Sequence, residues 1–487
     1  MKKKLLATIL SVALTASMLA GCGSSAGTDG AATGDAAAET TTEAEAGDDA
    51  AATEEDAAAT EEGEVAEGEA APEAVTTVGD PNGTHMEMWS FVELHNTFYA
   101  SMLEKWNAEN PDRTIEITFT TYPYADMHTK LLTSLNAGTG APDLCDVEVG
   151  QFPNVVAGMD TWLYPLDDAL APYAADLVQA RLDTYAGADG KHYGAPTHVG
   201  ATVMYYNAEL LESYGIDYTT IKTWDDYTAA GEKLKEASNG EVMLTSVDTA
   251  GVDWMWVAMA EYGEDWTGGF DGSANVQLES VKNMLTMQQG WLDSGIAMVS
   301  PDGHVDLEAG FQNILDGNIA SFPKALWFMS RFLNYMPEET GKWALAPCPV
   351  FEEGQPRSVG IGGTGTVVTN QSVDAQLAAD FISYAKCSEE GAKGIWEVLG
   401  FDVCNSAMWT DESITHDPNN EYVKFFRTNP YDVLNEVKDE IGKISVVAIS
   451  PTINEQMCNV TLNDVLENKM DVDEALQAAQ DVISLEE

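Results

Sequence analysis

The sequence predicts an α/β body built on a parallel sheet, carried behind an export leader and an acidic stalk. Three observations predict it. Strand-like and helix-like segments alternate between residues 85 and 149, and parallel strands need crossovers of that kind. The first 22 residues are a basic, then apolar run ending in Leu-Ala-Gly-Cys. Residues 23 to about 83 contain no aromatic residue, no Lys and no Arg.

The leader comes first. Lys2, Lys3 and Lys4 form a positive start, and Leu5 to Ala20 carry no charge. An uncleaved membrane helix is the alternative, but the apolar run is shorter than the roughly 20 residues a span takes. Small residues before Cys22 suit a signal peptidase, so residues 1–21 read as a signal peptide. The Leu19-Ala20-Gly21-Cys22 sequence resembles the bacterial lipobox, which implies a diacylglycerol thioether on Cys22. Two acyl chains suffice for stable anchoring. Residues 22–83 follow as a tether rich in Ala, Gly, Thr and acids, with too little apolar surface to offset ordering entropy.

The body begins at residue 84. His85–Phe91 alternates apolar and polar residues and is predicted as a strand. Phe98, Met102, Leu103 and Trp106 recur at helical spacing over 97–107, and Asn110-Pro111 ends that helix. Thr114–Thr120 is β-branched and alternating. Met127, Leu131, Leu132 and Leu135 predict a helix over 124–137, closed by Gly138. Leu144–Val149 is a short strand. Ala201–Asn207 is a further strand, and Leu210–Tyr214 a short helix. Thr223, followed by Asp226, predicts a helix cap. Residues 277 to 338 read as mostly helical, 357–370 as a Gly-rich strand, and the rest from Asp374 as helices. No internal repeat is visible.

Charge and composition then exclude several functions. Eighty acids face 23 bases, a formal net charge of −57. A phosphate-binding face needs the opposite balance, so no nucleic-acid partner is expected. Contact with a membrane is expected only through the lipid anchor. At 45% hydrophobic residues, a large core is available. Besides Cys22 the cysteines stand at 145, 348, 387, 404 and 458. None forms a CxxC or Cys/His cluster, so no metal or cofactor is expected.

Further features fall in a particular order. An Ala-Gly-x-Gly-Ala-Pro-Asp segment spans 137–143, then come Tyr193-Gly-Ala-Pro, Tyr205-Tyr206-Asn207 and Lys222-Thr-Trp-Asp-Asp-Tyr. With the lipobox, the acidic spacer and the helix ending in Asn-Pro, they resemble the extracellular solute-binding proteins of ABC sugar importers. The likeness covers about residues 84–487. Trp89–His95, Tyr122–His128, His198–Asn207 and Gly362–Gln371 are also similar to arabinose- or arabino-oligosaccharide-binding lipoproteins of Gram-positive bacteria.

That resemblance implies a periplasmic-binding-protein-like fold: two α/β lobes joined by a multi-strand hinge, with the ligand cleft between. Residues 84–198 would start lobe one and 199–356 lobe two. Residues 357–400 would return to lobe one, and 401–487 would be C-terminal helices, mainly in lobe two. It also implies a monomer on the outer face of the membrane that hands a carbohydrate to the transmembrane subunits of a permease.

A sugar offers apolar C–H faces and a rim of hydroxyls, so aromatic platforms and paired polar groups are the chemistry sought. Ligands of parallel sheets sit beyond the C-terminal strand ends. That rule selects Trp89, Phe91, Glu93, His95 and Asn96 after the first strand, and Glu148 and Gln151 after the third. Trp254, Trp256, Trp327 and Trp409 lie near predicted element ends, although core packing is the plain alternative for any one Trp. Arg331 and Asp402 are further polar candidates, and Gly363 lies where backbone must approach a ligand or bend. Two other readings remain open. Glu93 and Glu148 as general acid and base would make a glycosidase, and a tethered carbohydrate adhesin would show repeats or an exposed stacking face.

Overall fold

The computed structural model describes residues 72–486, apart from 269–272 and 444. The leader, Cys22 and the acidic stretch up to residue 71 lie outside the described residues.

The first sheet grows from the alternation read in the sequence. Thr84–Ser90, Ile115–Thr121 and Leu144–Glu148 are strands. The first pairs with both others in parallel. Helix Glu93–Glu109 covers one face with Phe98, Met102, Leu103 and Trp106. Helix Tyr124–Ala137 covers the other with Met127, Leu131 and Leu135. Gly138 ends that helix in the left-handed conformation, at φ 71°, where a Cβ is disfavoured. Burial on both faces explains why these strands read as dense apolar runs.

Four further segments bring this sheet to seven strands: Leu163–Tyr164 and Gly194–Pro196, both paired to a returning strand, and the two that follow. Thr364–Thr369 returns to pair antiparallel with Leu144–Glu148. Ala74–Gly79 pairs antiparallel with Ile115–Thr121 at the edge. This edge strand corrects the expected tether, which ran on to residue 83. Ala-Val-Thr-Thr-Val-Gly is short but β-branched, and its partner supplies the hydrogen bonds it lacks alone.

The second sheet runs in the order Trp343–Ala346, Thr202–Asn207, Ile319–Ala325, Met243–Val247, Ala297–Val299. Its central strand, Ile319–Ala325, is buried at every residue. The sequence predicted helix there. A short apolar run carries no period that separates a buried strand from a buried helix. Three apolar clusters fill the body, two of them on single sheet faces and one running continuously between the sheets.

Where the chain passes between the sheets, three stretches lie side by side. His198 bridges to Val403, and Ala201 to Gly360. Val199 N–H donates to the Asp402 carbonyl at 2.9 Å, and Ile361 N–H to the Gly200 carbonyl at 2.8 Å. Ser358–Val359 adds a short parallel pair with Ile441–Gly442.

Candidate functional site

The C-terminal ends of the first-sheet strands form one wall. Ser90 ends the first strand, and its hydroxyl donates to Asn96 Oδ1 at 2.9 Å. Asn96 Nδ2 donates in turn to Thr121 Oγ1 at 2.8 Å. Asn96 thus staples two strand ends together. Phe91 stands beyond them, half-buried, with its ring 5.2 Å from Tyr124 and 5.3 Å from His128. Tyr124 is 42% exposed and its hydroxyl donates to Glu148 Oε2 at 3.1 Å.

Glu148 closes the third strand. Its Oε2 also accepts the Gly150 N–H at 2.7 Å. Burial pushes this carboxyl up from its ordinary value, against the pull of those donors and of Arg181. Beneath it, His128 lies between the Tyr124 carbonyl at 2.8 Å and the Glu148 N–H at 3.2 Å. The geometry makes Nδ1 the donor and Nε2 the acceptor, so the ring is neutral. Burial holds its pKa down at about 4. Gln151 sits half-buried in the same turn.

The second wall follows strand Ile319–Ala325. Lys324 is buried and ion-paired to Asp253. His304 Nε2 lies 3.3 Å from the ammonium and 3.9 Å from Asp248. Burial lowers the His304 pKa, and Lys324 lowers it further. Trp327 lies between two cations, with Lys324 Nζ 5.9 Å and the Arg331 guanidinium 5.5 Å from its ring centre. Arg331 is held in place by Asp306 at 2.8 Å. An indole so flanked is fixed in orientation.

The walls meet on Gly362 and Gly363. Trp327 Nε1 donates to the Ile361 carbonyl at 3.1 Å, and a Cβ on Gly362 would sit 3.1 Å from that nitrogen. A Cβ on Gly363, at φ +109°, would collide with Arg181 and lie 3.4 Å from His198 Nε2. Arg181 Nε donates to the His198 carbonyl at 2.9 Å, and its terminal nitrogen to the Gly362 carbonyl. His198 is buried with both ring nitrogens unpartnered.

The structure therefore brings Phe91, Glu148, Gln151, Trp327, Arg331 and Gly363 to two rims that share one turn. Asn96 stands in the first wall as a link between strand ends, and the remaining candidates lie elsewhere. Glu93 is exposed in the first turn of its helix. His95 is buried, and Nδ1 bonds Asp146 at 3.0 Å. Trp89 packs under the sheet against Tyr122. Trp254 packs in the second core against Trp224 and Trp291. Trp256 is half-buried at the edge of that core. Asp402 joins the crossing strands through Ala201 N–H at 2.7 Å. Trp409 is buried, donating to the Val403 carbonyl at 2.9 Å.

Sequence reasoning passed over Tyr124, Arg181, His198, Lys324 and His304. The Tyr122–His128 and His198–Asn207 segments were singled out for resemblance, and that was the available signal. No group of residues among those described is arranged to hold a metal ion.

Comparison with known proteins adds independent findings. A family model described as bacterial extracellular solute-binding protein matches residues 90–391. The arabinooligosaccharide-binding protein of Halalkalibacterium halodurans is 39% identical over 417 residues, 84% of this chain and 92% of that one. Its namesake from Bacillus subtilis is 36% identical, covering 77% and 86%. Among solved structures, the GacH receptor of Streptomyces glaucescens superposes with a TM-score of 0.67 at 19% identity, over 82% of this chain and 97% of that one. A binding protein from B. animalis subsp. lactis, in complex with β-1,6-galactobiose, gives 0.65 at 21%, over 82% and 97%.

Proposed function

This chain belongs to the bacterial extracellular solute-binding protein family, and from that premise we propose that it captures an arabinose-containing oligosaccharide for an ABC importer. The observation that carries the reading is the meeting of the two walls. Trp327, just past the end of strand Ile319–Ala325 of the second sheet, and Arg181, in helix Gln179–Asp183, both rest on the Gly362–Gly363 turn. An indole platform beside hydrogen-bonding groups suits a sugar ring, whose faces are apolar and whose rim is polar.

The three crossing stretches serve as the hinge in this reading. Only a closed state offers both walls at once, so ligand binding favours closure. The permease then reads the closed form. Cys22 carries the lipid that holds the protein at the outer face of the membrane, and the acidic stretch is its leash. The two relatives named for arabinooligosaccharides support the choice of sugar.

Thermal-shift screening across arabino-oligosaccharides, pentoses and hexoses tests the ligand, because a specific ligand raises the apparent melting point by mass action. Small-angle scattering with the best sugar should show compaction. Steady turnover of the sugar, or no response to any carbohydrate, refutes the reading.

A further inference from the structure

A cavity of ≈ 620 Å³ opens beside the crossing strands. Its lining includes Arg181, Val199, Gly360, Trp409, Lys438 and Lys443. That volume suits a sugar residue or a short oligosaccharide end. The cavity shares Arg181 with the turn where the two walls meet, so it continues the candidate site past the crossing strands.

Its electrostatics depart from the rest of the molecule. In a chain of −57, a lysine or arginine has acids on all sides, and most are paired: Lys105 with Glu390, Arg113 with Asp380, Lys282 with Asp473, Arg357 with Glu440. The three cations at this cavity are among the exceptions, with Lys233 and Lys235, which bond carbonyl oxygens outside its lining. Lys438 and Lys443 have no carboxylate partner among the described residues, and Arg181 hydrogen-bonds only carbonyl oxygens. Nearby acids are committed elsewhere, since Glu436 and Glu440 both grip Arg357. Asp183 and Asp439 also line the cavity. Asp183 is engaged by Gln179 at 2.5 Å and lies 3.6 Å from His192. Three cations thus face two acids in a molecule where acids outnumber bases more than threefold.

Burial sharpens the point. Arg181 is only 6% exposed; the carboxyls of Glu148 and Asp402 lie within its electrostatic reach, but its hydrogen bonds go only to carbonyl oxygens. Beside it, at the Gly363 turn, His198 is 4% exposed with neither ring nitrogen partnered. Unpaired buried polar groups call for a partner. A ligand anion in the cavity would meet the two exposed lysines at its rim, with the Arg181 guanidinium behind them.

We propose that this cavity takes the carboxylate of an acidic sugar residue, so that the protein prefers uronate-bearing oligosaccharides over neutral ones. The proposal rests on the carbohydrate reading above and specifies its substrate class.

Calorimetry tests it with full-length protein and two ligands: a neutral arabinose-containing oligosaccharide, and its counterpart carrying one glucuronic acid residue. The expected result is a preference of about tenfold or more for the acidic ligand, shrinking as ionic strength rises from about 0.05 to 0.5 M. In the double variant Lys438→Ala, Lys443→Ala, the affinities should converge to within about twofold. These lysines are exposed, so the variant should keep its fold. Equal binding of both ligands by the wild type overturns the proposal and leaves the carbohydrate reading standing. A preference that survives in the double variant overturns the assignment of the cavity. Binding of neither ligand, nor of any sugar in the thermal screen, overturns both.

Discussion

Trp327 shows what a residue can and cannot announce. Its type marks it as a sugar platform, but Trp254 has the same type and lies in a core of indoles. What separates them is the pair of cations about the Trp327 ring and its bond to the Ile361 carbonyl. Lys324 and Arg331 lie three and four residues away, but Ile361 lies thirty-four away, and local periodicity does not carry it. Trp327→Ala should weaken oligosaccharide binding by about 2–4 kcal/mol, as central aromatic anchors do. Calorimetry with circular dichroism as a fold control measures it, and unchanged affinity would remove Trp327 from the site. Glu261 illustrates a different residue-scale effect. It is buried, accepts from Trp224 Nε1 at 3.0 Å and from the Phe351 N–H at 2.9 Å, and burial still pushes its pKa up to about 8. The folded protein therefore holds a proton that the unfolded chain releases near the ordinary carboxylate pKa. Its stabilising contribution is complete below that value and fades as pH rises through about 8. Urea midpoints should fall between pH 5 and 8 in the wild type relative to Glu261→Gln. Parallel curves for the two proteins would contradict the assignment.

Elements were legible where a local rule governs them. The parallel strands and their two crossover helices follow from period and stop signals, and helix Tyr124–Ala137 has the bounds its spacing predicts. Thr223 caps helix Trp224–Ser238 in a full capping box with Asp226. Removing its hydroxyl in Thr223→Ala should lower stability by about 1 kcal/mol, read by thermal unfolding. Strand Ile319–Ala325 was illegible because all of its faces are buried. Strand Ala74–Gly79 was illegible because its partner, not its composition, orders it. The crossing strands carry a constraint that sequence hints at only by a glycine. Gly200 has φ +77°, and a Cβ there would sit 2.3 Å from the Ile361 carbonyl oxygen. Gly215 has φ +69° with open space around it. Gly200→Ala should therefore cost more than the roughly 1–3 kcal/mol of backbone strain alone, and Gly215→Ala should not exceed it. Equal losses in chemical denaturation would mean the crossing strands yield freely.

At the scale of the whole molecule, the site belongs to no single segment. Its residues come from positions 91, 148, 181, 327, 331 and 363, so the walls exist only once both sheets are built. Sequence order gave the two-lobed expectation through resemblance, whereas the pairing of Arg181 with the Gly362 carbonyl required the folded chain. The proposed membrane attachment is tested on the intact protein as well. Cys22→Ala should move the protein from the membrane fraction to the medium, because a single acylation site is lost. Fractionation of cells expressing both forms measures this, and undiminished membrane retention would refute the anchor.

Inside the first lobe, Asp146 is fully buried and bound by His95, by Tyr99 at 2.8 Å, by Thr366 at 2.5 Å and by Lys386 at 3.5 Å. Burial alone would raise its carboxyl, but Lys386 and His95 outweigh burial and hold it well below the usual range. Two of those four partners are encoded more than two hundred positions downstream of the acid they neutralise. The chain must therefore run past every strand of the second sheet, as far as Lys386, before the central anion of the first sheet has all its partners. A truncated chain ending near residue 356 lacks both Thr366 and Lys386 and should be protease-sensitive across residues 84–198, so the amino-terminal half cannot mature alone ahead of the rest.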